Sequence, residues 1–322
     1  MKILRRLLIA VVSIIALVWV FVPREPVDVE ISFDSSILPD DLDAYLANSE
    51  SRFNDITEGV EKQIIWRGEP GVKTDLAIVN IHGFSATLQE IRPVPDVLAE
   101  HLDANLFYTR LRGHGRGALA MAEPVAGDWL EDTAEALAIG RKIGREVIVL
   151  ATSTGGTAMA IAATNPALME QIKGIAMVSP NFRVRSPTAV VLEWPAARIW
   201  GLAMAGAERG LDPQNEGHAT YWTTIYPTTA LVPMAAMVRH ARRLDYSDVS
   251  VPALFVFSDD DAVVAAEATR AISTRWGGPS QLVPRSMGEG DDPFNHVIAG
   301  DILSPNQTEE TIELIETWIK GL

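Results

Sequence analysis

Hydrophobic and polar residues follow two rhythms along this chain, and three segments follow neither. From Gln63 onward short apolar blocks recur: "QIIWR", "LAIVNIHG" (Leu76–Gly83), "NLFYTRL", "EVIVLA", "GIAMVSP", "PALFVFS" and "SQLVPRS". Blocks of this length, apolar nearly throughout and closed by Gly, Pro or polar residues, predict strands, the central ones buried on both faces. Between them lie segments with helical spacing: "IRPVPDVLAEHL", "DWLEDTAEALAIGRKIG", "TGGTAMAIAAT", Ala265–Trp276 and "TEETIELIETWIKGL". Asp128 is placed to cap the second, and Gly277 and Gly278 stop the fourth. Strands alternating with helices predict an α/β fold with a doubly wound, mostly parallel sheet.

The first exception is Asn181 to about Asp245, which carries no strong strand signal. It is rich in Trp, Met, Ala and Pro, with Trp194, Trp200, Met204, Trp222, Met234 and Met237. Its place between two central strands predicts a helical cap over the carboxyl edge of the sheet, where open α/β folds bind ligands. Most of its Trp and Met residues are expected in the packing rather than against a ligand. The second is Glu25 to about Gly59, which is polar and acidic without a strong period. It is expected to be a linker and peripheral segment with a short helix over Leu42–Phe53.

The third is the N-terminus. Lys2, Arg5 and Arg6 precede an uncharged apolar run, Leu7–Val22, which Pro23 and Pro26 end. A spanning helix needs about 20 apolar residues, with roughly 17 as the lower limit. Snorkelling of Arg5 and Arg6 extends this run slightly. A cleaved signal would need a small-x-small site after the run, and none stands near Val22. The reading is an uncleaved anchor in the cytoplasmic membrane, its cationic flank inside and the rest of the chain outside the cytoplasm. Release to the periplasm or medium after cleavage is the alternative. The expected organisation is an anchor (1–24), a linker and peripheral segment (25–60), an α/β core (61–180 and 246–322) and a cap (181–245).

Charge and composition narrow the chemistry. A net charge of −15 over 322 residues argues against nucleic acid as a partner, since phosphates call for a basic face. The lack of cysteine excludes disulfides, thiolate metal sites and a cysteine nucleophile.

The richest stretch is "VIVLATSTGGTAMA", Val147–Ala160. A phosphate loop would need a lysine after its glycines, and the next basic residue is Lys173. A dinucleotide fingerprint would need GxGxxG, which is absent. A serine nucleophile on a strained strand-to-helix turn needs small residues two before and two after it. Ala151 and Gly155 supply them around Ser153, and neither Thr152 nor Thr154 is so flanked. Such a serine needs a histidine base and a carboxylate, which on this architecture follow in chain order. "PALFVFSDDDAVV" offers Asp259, Asp260 and Asp261, and "NHVIAGD" offers His296. An oxyanion hole would take the backbone N–H of Thr154 and one from the "HGFSA" loop, at Phe84.

Four markers thus fall in order: "HGFS" (His82–Ser85), "LRGHG" (Leu111–Gly115), "ATSTGG" (Ala151–Gly156), then the acid and histidine segments. In these the chain resembles the α/β-hydrolase superfamily from about Gln63 to Leu322. It is most similar to serine esterases of the monoacylglycerol-lipase and carboxylesterase type, and to a group of membrane-anchored bacterial hydrolases. It departs from G-x-S-x-G by Ala151. The resemblance implies Ser153 as nucleophile, His296 as base and Asp261 as the acid, because Asp261-Ala262-Val263-Val264 matches the family's Asp-x-Val-Val. Asp259 and Asp260 are then solvated turn residues, with Asp260 the alternative acid. It implies no cofactor, and a calcium reading of the three aspartates fails for want of the loop glycine and spacing.

The other histidines have plainer expectations. His82 and His114 hold loops, His101 lies on a helix surface, and His218 and His240 are expected at the surface of the cap, with contact to substrate as the alternative. "GEGDDP", before His296, is expected to be a polar, mobile loop. The expected activity is hydrolysis of a small acyl ester, lipid-like or of medium chain. A thioesterase or acyltransferase would use the same parts. A non-catalytic binding module on this fold would lack a member of the triad.

Overall fold

The apolar blocks are strands and the periodic segments are helices in the computed structural model, which describes residues 2–322 apart from the side chains of Val11, Ile14 and Ile15. In chain order the elements are α1 (Lys2–Phe21), α2 (Leu42–Glu50), β1 (Gln63–Ile65), β2 (Thr74–Ile81), α3 (Val94–His101), β3 (Asn105–Tyr108), α4 (Ala126–Ile143) and β4 (Gly144–Thr152). There follow α5 (Thr154–Ala163), β5 (Ile172–Val178), α6 (Ala197–Ala205), β6 (Glu208–Gly210), α7 (Glu216–Tyr221), β7 (Ile225–Pro227) and α8 (Leu231–Ala241). The chain closes with β8 (Ala253–Ser258), α9 (Ala266–Arg275), β9 (Ser280–Arg285) and α10 (Thr308–Lys320).

Seven strands form one sheet in the order β1-β3-β2-β4-β5-β8-β9. Only β1 runs antiparallel to its neighbour. The unbroken apolarity of Val147–Ala151 in β4 follows from cover on both faces. Val147, Val149 and Ala151 pack toward α4, α5 and α8, while Ile148 and Leu150 pack toward α3 and α10. Side chains alternate between faces along a strand, and each fully buried Val, Leu or Ile contributes about 1.5–3 kcal/mol. The sheet therefore requires apolar residues at both parities.

The peripheral segment is bound to the core rather than trailing from it. Leu38, Leu42 and Leu46 are buried, and the Glu131 carboxylate accepts hydrogen bonds from Ser32 N, Ser32 Oγ and Phe33 N. The Arg110 guanidinium grips the Glu50 carboxylate at 2.6 and 2.9 Å, with both side chains buried. Lys62 pairs with Glu135 nearby.

Several expectations are corrected. Asp128 does not cap α4 from outside. It sits at the third helical position and accepts from Val125 N, the residue at the cap. The segment expected to be a helical cap also holds a two-stranded antiparallel hairpin, β6 with β7. With three residues each, these strands are too short to carry a period-2 signal. Met234 and Met237, on α8, are buried in the main core beside α5, whereas Ile199, Trp200, Leu202 and Met204 of α6 are exposed.

At the N-terminus α1 is helical as a whole, but among the described residues no helix is long and apolar enough to cross a membrane. The spanning role expected of residues 1–24 has no structural support here, and Val11, Ile14 and Ile15 of that run lie outside the described side chains. The end of α1 meets the cap. Trp19 packs edge-on against Trp194, and Arg198 and Arg239 bind the Glu25 carboxylate and carbonyl respectively.

Candidate active site

Ser153 occupies the turn between β4 and α5, with φ 48° and ψ −112°. A non-glycine residue at positive φ is uncommon and strained, and such residues persist where the surroundings over-determine them. Here the surroundings are backbone hydrogen bonds: Ser153 N donates to Val178 O, and Asn181 N and Thr157 N donate to Ser153 O. Gly155 has to be glycine, because a Cβ there would lie 2.4 Å from Ile81 O and 2.6 Å from His82 O. Ala151 is a strand residue between Ile81 and Met177, with its methyl in the core. That position tolerates the methyl, so the departure from glycine leaves the turn intact.

His296 comes from the loop between β9 and α10, and Asp261 from the turn after β8. His296 Nε2 lies 3.0 Å from Ser153 Oγ, and His296 Nδ1 lies 2.8 Å from Asp261 Oδ2. With Nδ1–H donating to the carboxylate, the Nε2 lone pair faces the serine hydroxyl. The other carboxylate oxygen accepts from Val263 N and Val264 N, which fixes the plane of the acid. Burial by itself would lower the His296 pKa. The Asp261 charge and hydrogen bond, with Glu90 and Asp292 behind them, outweigh burial and hold it above the ordinary value. Asp259 pairs with Arg270 on the surface, and Asp260 is exposed.

Phe84 and Thr154 flank the serine. Among the described residues neither backbone N–H donates to a protein acceptor. The Phe84 ring is held edge-on by His114, Trp129 and the cap residue Tyr226. The hydroxyls of Thr152 and Thr154 are buried without a partner among the described residues. Of the three adjacent hydroxyls only Ser153 Oγ meets a base. A cavity of about 340 Å³ opens beside it, walled by Phe84, Leu211, Trp222, Tyr226, Leu231 and Met234 among others.

The loop-holding expectation for His82 and His114 agrees with their contacts. His82 Nδ1 bonds Gly83 O while Nε2 accepts from Leu111 N. Burial pushes His82 well below the ordinary histidine value and His114 down to about 4. His101 is paired with Glu316 on the surface, and His240 is partly buried on α8. His218 is a correction: it is buried and borders the cavity, because α7 turns it inward onto Trp222.

Sequence reasoning missed two carboxylates. Asp292 belongs to the stretch expected to be a loose loop, yet it is buried. Its oxygens accept from Phe294 N, His296 N, Val297 N and Gln214 Nε2. It shapes the loop that presents His296, and nothing in "GEGDDP" distinguishes it from buried Asp291 or exposed Glu289. Glu90 is buried beside the serine and accepts from Gly83 N at 2.6 Å. Burial pushes it up to about 7, against the opposing effects of the Gly83 N–H and His296.

A family model described as the alpha/beta hydrolase family matches residues 78–296. No protein of curated function matches the chain. Solved structures with the same fold include one from work on LipS and LipT, two metagenome-derived lipolytic enzymes. It has 22% identity and a TM-score of 0.66, over 83% of this chain and 100% of that one. The Paleococcus ferrophilus monoacylglycerol lipase has 14% identity and a TM-score of 0.57, over 80% and 97%. A soluble variant of the Saccharomyces cerevisiae monoglyceride lipase, in complex with a substrate analog, has 13% identity and a TM-score of 0.59, over 81% and 90%.

Proposed function

The chain belongs to the alpha/beta hydrolase family, and from that premise we propose that it is a serine hydrolase of carboxylic esters. The observation that carries this reading is the unbroken contact from Asp261 through His296 to Ser153, beside two backbone N–H groups with no protein acceptor among the described residues. Ser153 Oγ attacks the ester carbonyl as His296 Nε2 takes its proton. Asp261 keeps the imidazole in the required tautomer and stabilises its cation. The N–H groups of Phe84 and Thr154 receive the oxyanion, the latter at the positive end of α5. The imidazolium protonates the leaving alcohol, and the acyl group stays on Ser153. Water then attacks the acyl-enzyme, giving its proton to His296, which returns it to Ser153 Oγ as the acid leaves.

The mostly apolar walls of the cavity support an acyl ester of lipid-like or medium chain length. The lipolytic and monoacylglycerol-cleaving relatives of the same fold are in keeping with that class. Labelling with a fluorophosphonate probe tests the nucleophile: the full chain is expected to react and Ser153→Ala to remain unlabelled. Equal labelling of both would overturn the assignment. A chain-length series of p-nitrophenyl esters then sets the acyl preference.

For the N-terminal segment we propose attachment to the cytoplasmic membrane with the hydrolase body outside the cytoplasm. Lys2, Arg5 and Arg6 before Leu7–Val22 support it. The full chain is expected to sediment with membranes and resist carbonate washing, and a mature protein starting after about residue 22 would contradict it.

A further inference from the structure

Glu90 lies at this site and the mechanism above does not use it. Its side chain is 3% exposed and borders the cavity that holds Ser153 and His296. A Cβ placed on Gly83 would lie 2.6 Å from Glu90 Oε1 and 3.0 Å from Ser153 Cβ. The Gly83 backbone is therefore wedged between the carboxyl group and the nucleophile, and its N–H is bonded to Glu90 Oε2 at 2.6 Å. The next residue is Phe84, whose N–H faces the forming oxyanion in the reading above. A carboxyl at this point controls where that N–H stands.

Several charged or titratable groups face Glu90 or share its cavity. Arg92, on its own loop, is committed to Asp96. His82, on the oxyanion segment, is buried and bonded on both ring nitrogens. The C-terminal loop brings His296 and Asp292, and the cap brings His218 and Arg209 to the same cavity. Of these, His296 is the one whose charge bears on Glu90, and Glu90 in turn bears on His296. Glu90 is pushed up to about 7 and His296 is held above its ordinary value, each by a charge the other feels, so their protons leave as a coupled pair.

We propose that Glu90 is a positioning residue of this site, holding the Gly83–Phe84 segment against Ser153 and setting the pH at which His296 becomes free to act as base. This rests on the ester-hydrolase reading. The direction follows from charge. Ionised Glu90 stabilises the His296 imidazolium, so with Glu90 present a higher pH is needed to free the base. Removing the charge while keeping an acceptor for Gly83 N–H leaves the segment in place and lets His296 lose its proton earlier.

The test is the pH dependence of kcat/KM for p-nitrophenyl butyrate with the full chain, Glu90→Gln and Glu90→Ala, each labelled in parallel with a fluorophosphonate. Glu90→Gln is expected to move the acid limb down by roughly half a unit to one unit, since a neighbouring charge shifts a pKa by that order or more, with the plateau changed a few-fold at most. Glu90→Ala is expected to move the limb likewise and also lower plateau kcat by about 10- to 100-fold with KM little changed, as a misplaced oxyanion donor does. An unmoved limb in Glu90→Gln overturns the proton-setting role, and a full plateau in Glu90→Ala overturns the positioning role. Should neither variant fold, the unaltered protein decides. Its acid limb is expected to need two ionisations, and a limb that fits one overturns the coupling. Failure of the unaltered protein to label at Ser153 sinks the ester-hydrolase reading itself. Labelling with an unmoved limb sinks the proton-setting role of Glu90 alone.

Discussion

Two groups of buried charge stand in this molecule and they are built in opposite ways. Near the peripheral segment each buried acid meets a base: Glu50 with buried Arg110, Glu135 with the buried side chain of Lys62, and Asp132 with the half-exposed Arg112. At the carboxyl edge of the sheet three carboxylates, Asp261, Glu90 and Asp292, surround one imidazole. The first group closes its own charges and ties the segment before β1 to the core. The second leaves charge unbalanced: its carboxylates hold His296 above the ordinary value, while burial pushes Glu90 up to about 7. Matched buried charges are expensive to break and do little else, whereas mismatched ones mark chemistry. Asp132 shows that the boundary is not absolute, since burial pushes it up to about 6 even with Lys62 and Arg112 opposing.

The largest expected effect separates the two groups by activity. Asp261→Asn is expected to cut kcat by roughly 10³–10⁴-fold, the order seen when a triad acid loses its charge, while Asp260→Asn stays near the unaltered protein. Steady-state ester hydrolysis reads this, and a larger loss at Asp260 would move the acid role. Glu50→Ala is the converse. It leaves Arg110 buried without its partner and is expected to cost about 3–5 kcal/mol of stability, measured by urea unfolding, with the folded fraction still labelling at Ser153.

A smaller effect tests how the mismatched group is held. Asp292→Ala removes the acceptor for His296 N and Val297 N and is expected to lower kcat about 10²-fold through misplacement of the imidazole. Fluorophosphonate labelling should slow in proportion, and an unchanged rate would reduce Asp292 to loop packing. The smallest expected effect is on stability against pH. The Glu90 pKa is raised on folding, so its contribution is present below the ordinary carboxyl value near 4.5 and is lost as pH rises through about 7. Glu90→Gln escapes that loss. Relative to the parent it is expected to gain about 1–3 kcal/mol between pH 5 and pH 8.5, read from paired unfolding curves. A gain equal at both pH values would show that the carboxyl does not titrate in the folded protein.

The α/β alternation and the strand cores were legible because a strand stretch covered on both faces must be apolar throughout, as Val147–Ala151 of β4 and Ala253–Phe257 of β8 are. The turn at Ser153 was legible because its close approaches demand small residues, and Gly155 shows how tight they are. The β6–β7 hairpin was not, since three residues per strand are too few for an alternation to be read. His218 was misjudged for a related reason: nothing local tells a six-residue helix which way it will face.

By itself the sequence determined the fold class, the strained turn and the residue types at Ser153, Asp261 and His296, because backbone sterics and strand burial act locally and leave a local trace. Only the tertiary structure decided that His296 stands 3.0 Å from Ser153, that Asp292 shapes its loop and that Glu90 sits behind Gly83. Those relations join residues far apart in the chain. Their energies come from burial and charge in a shared cavity, which no stretch of sequence carries alone.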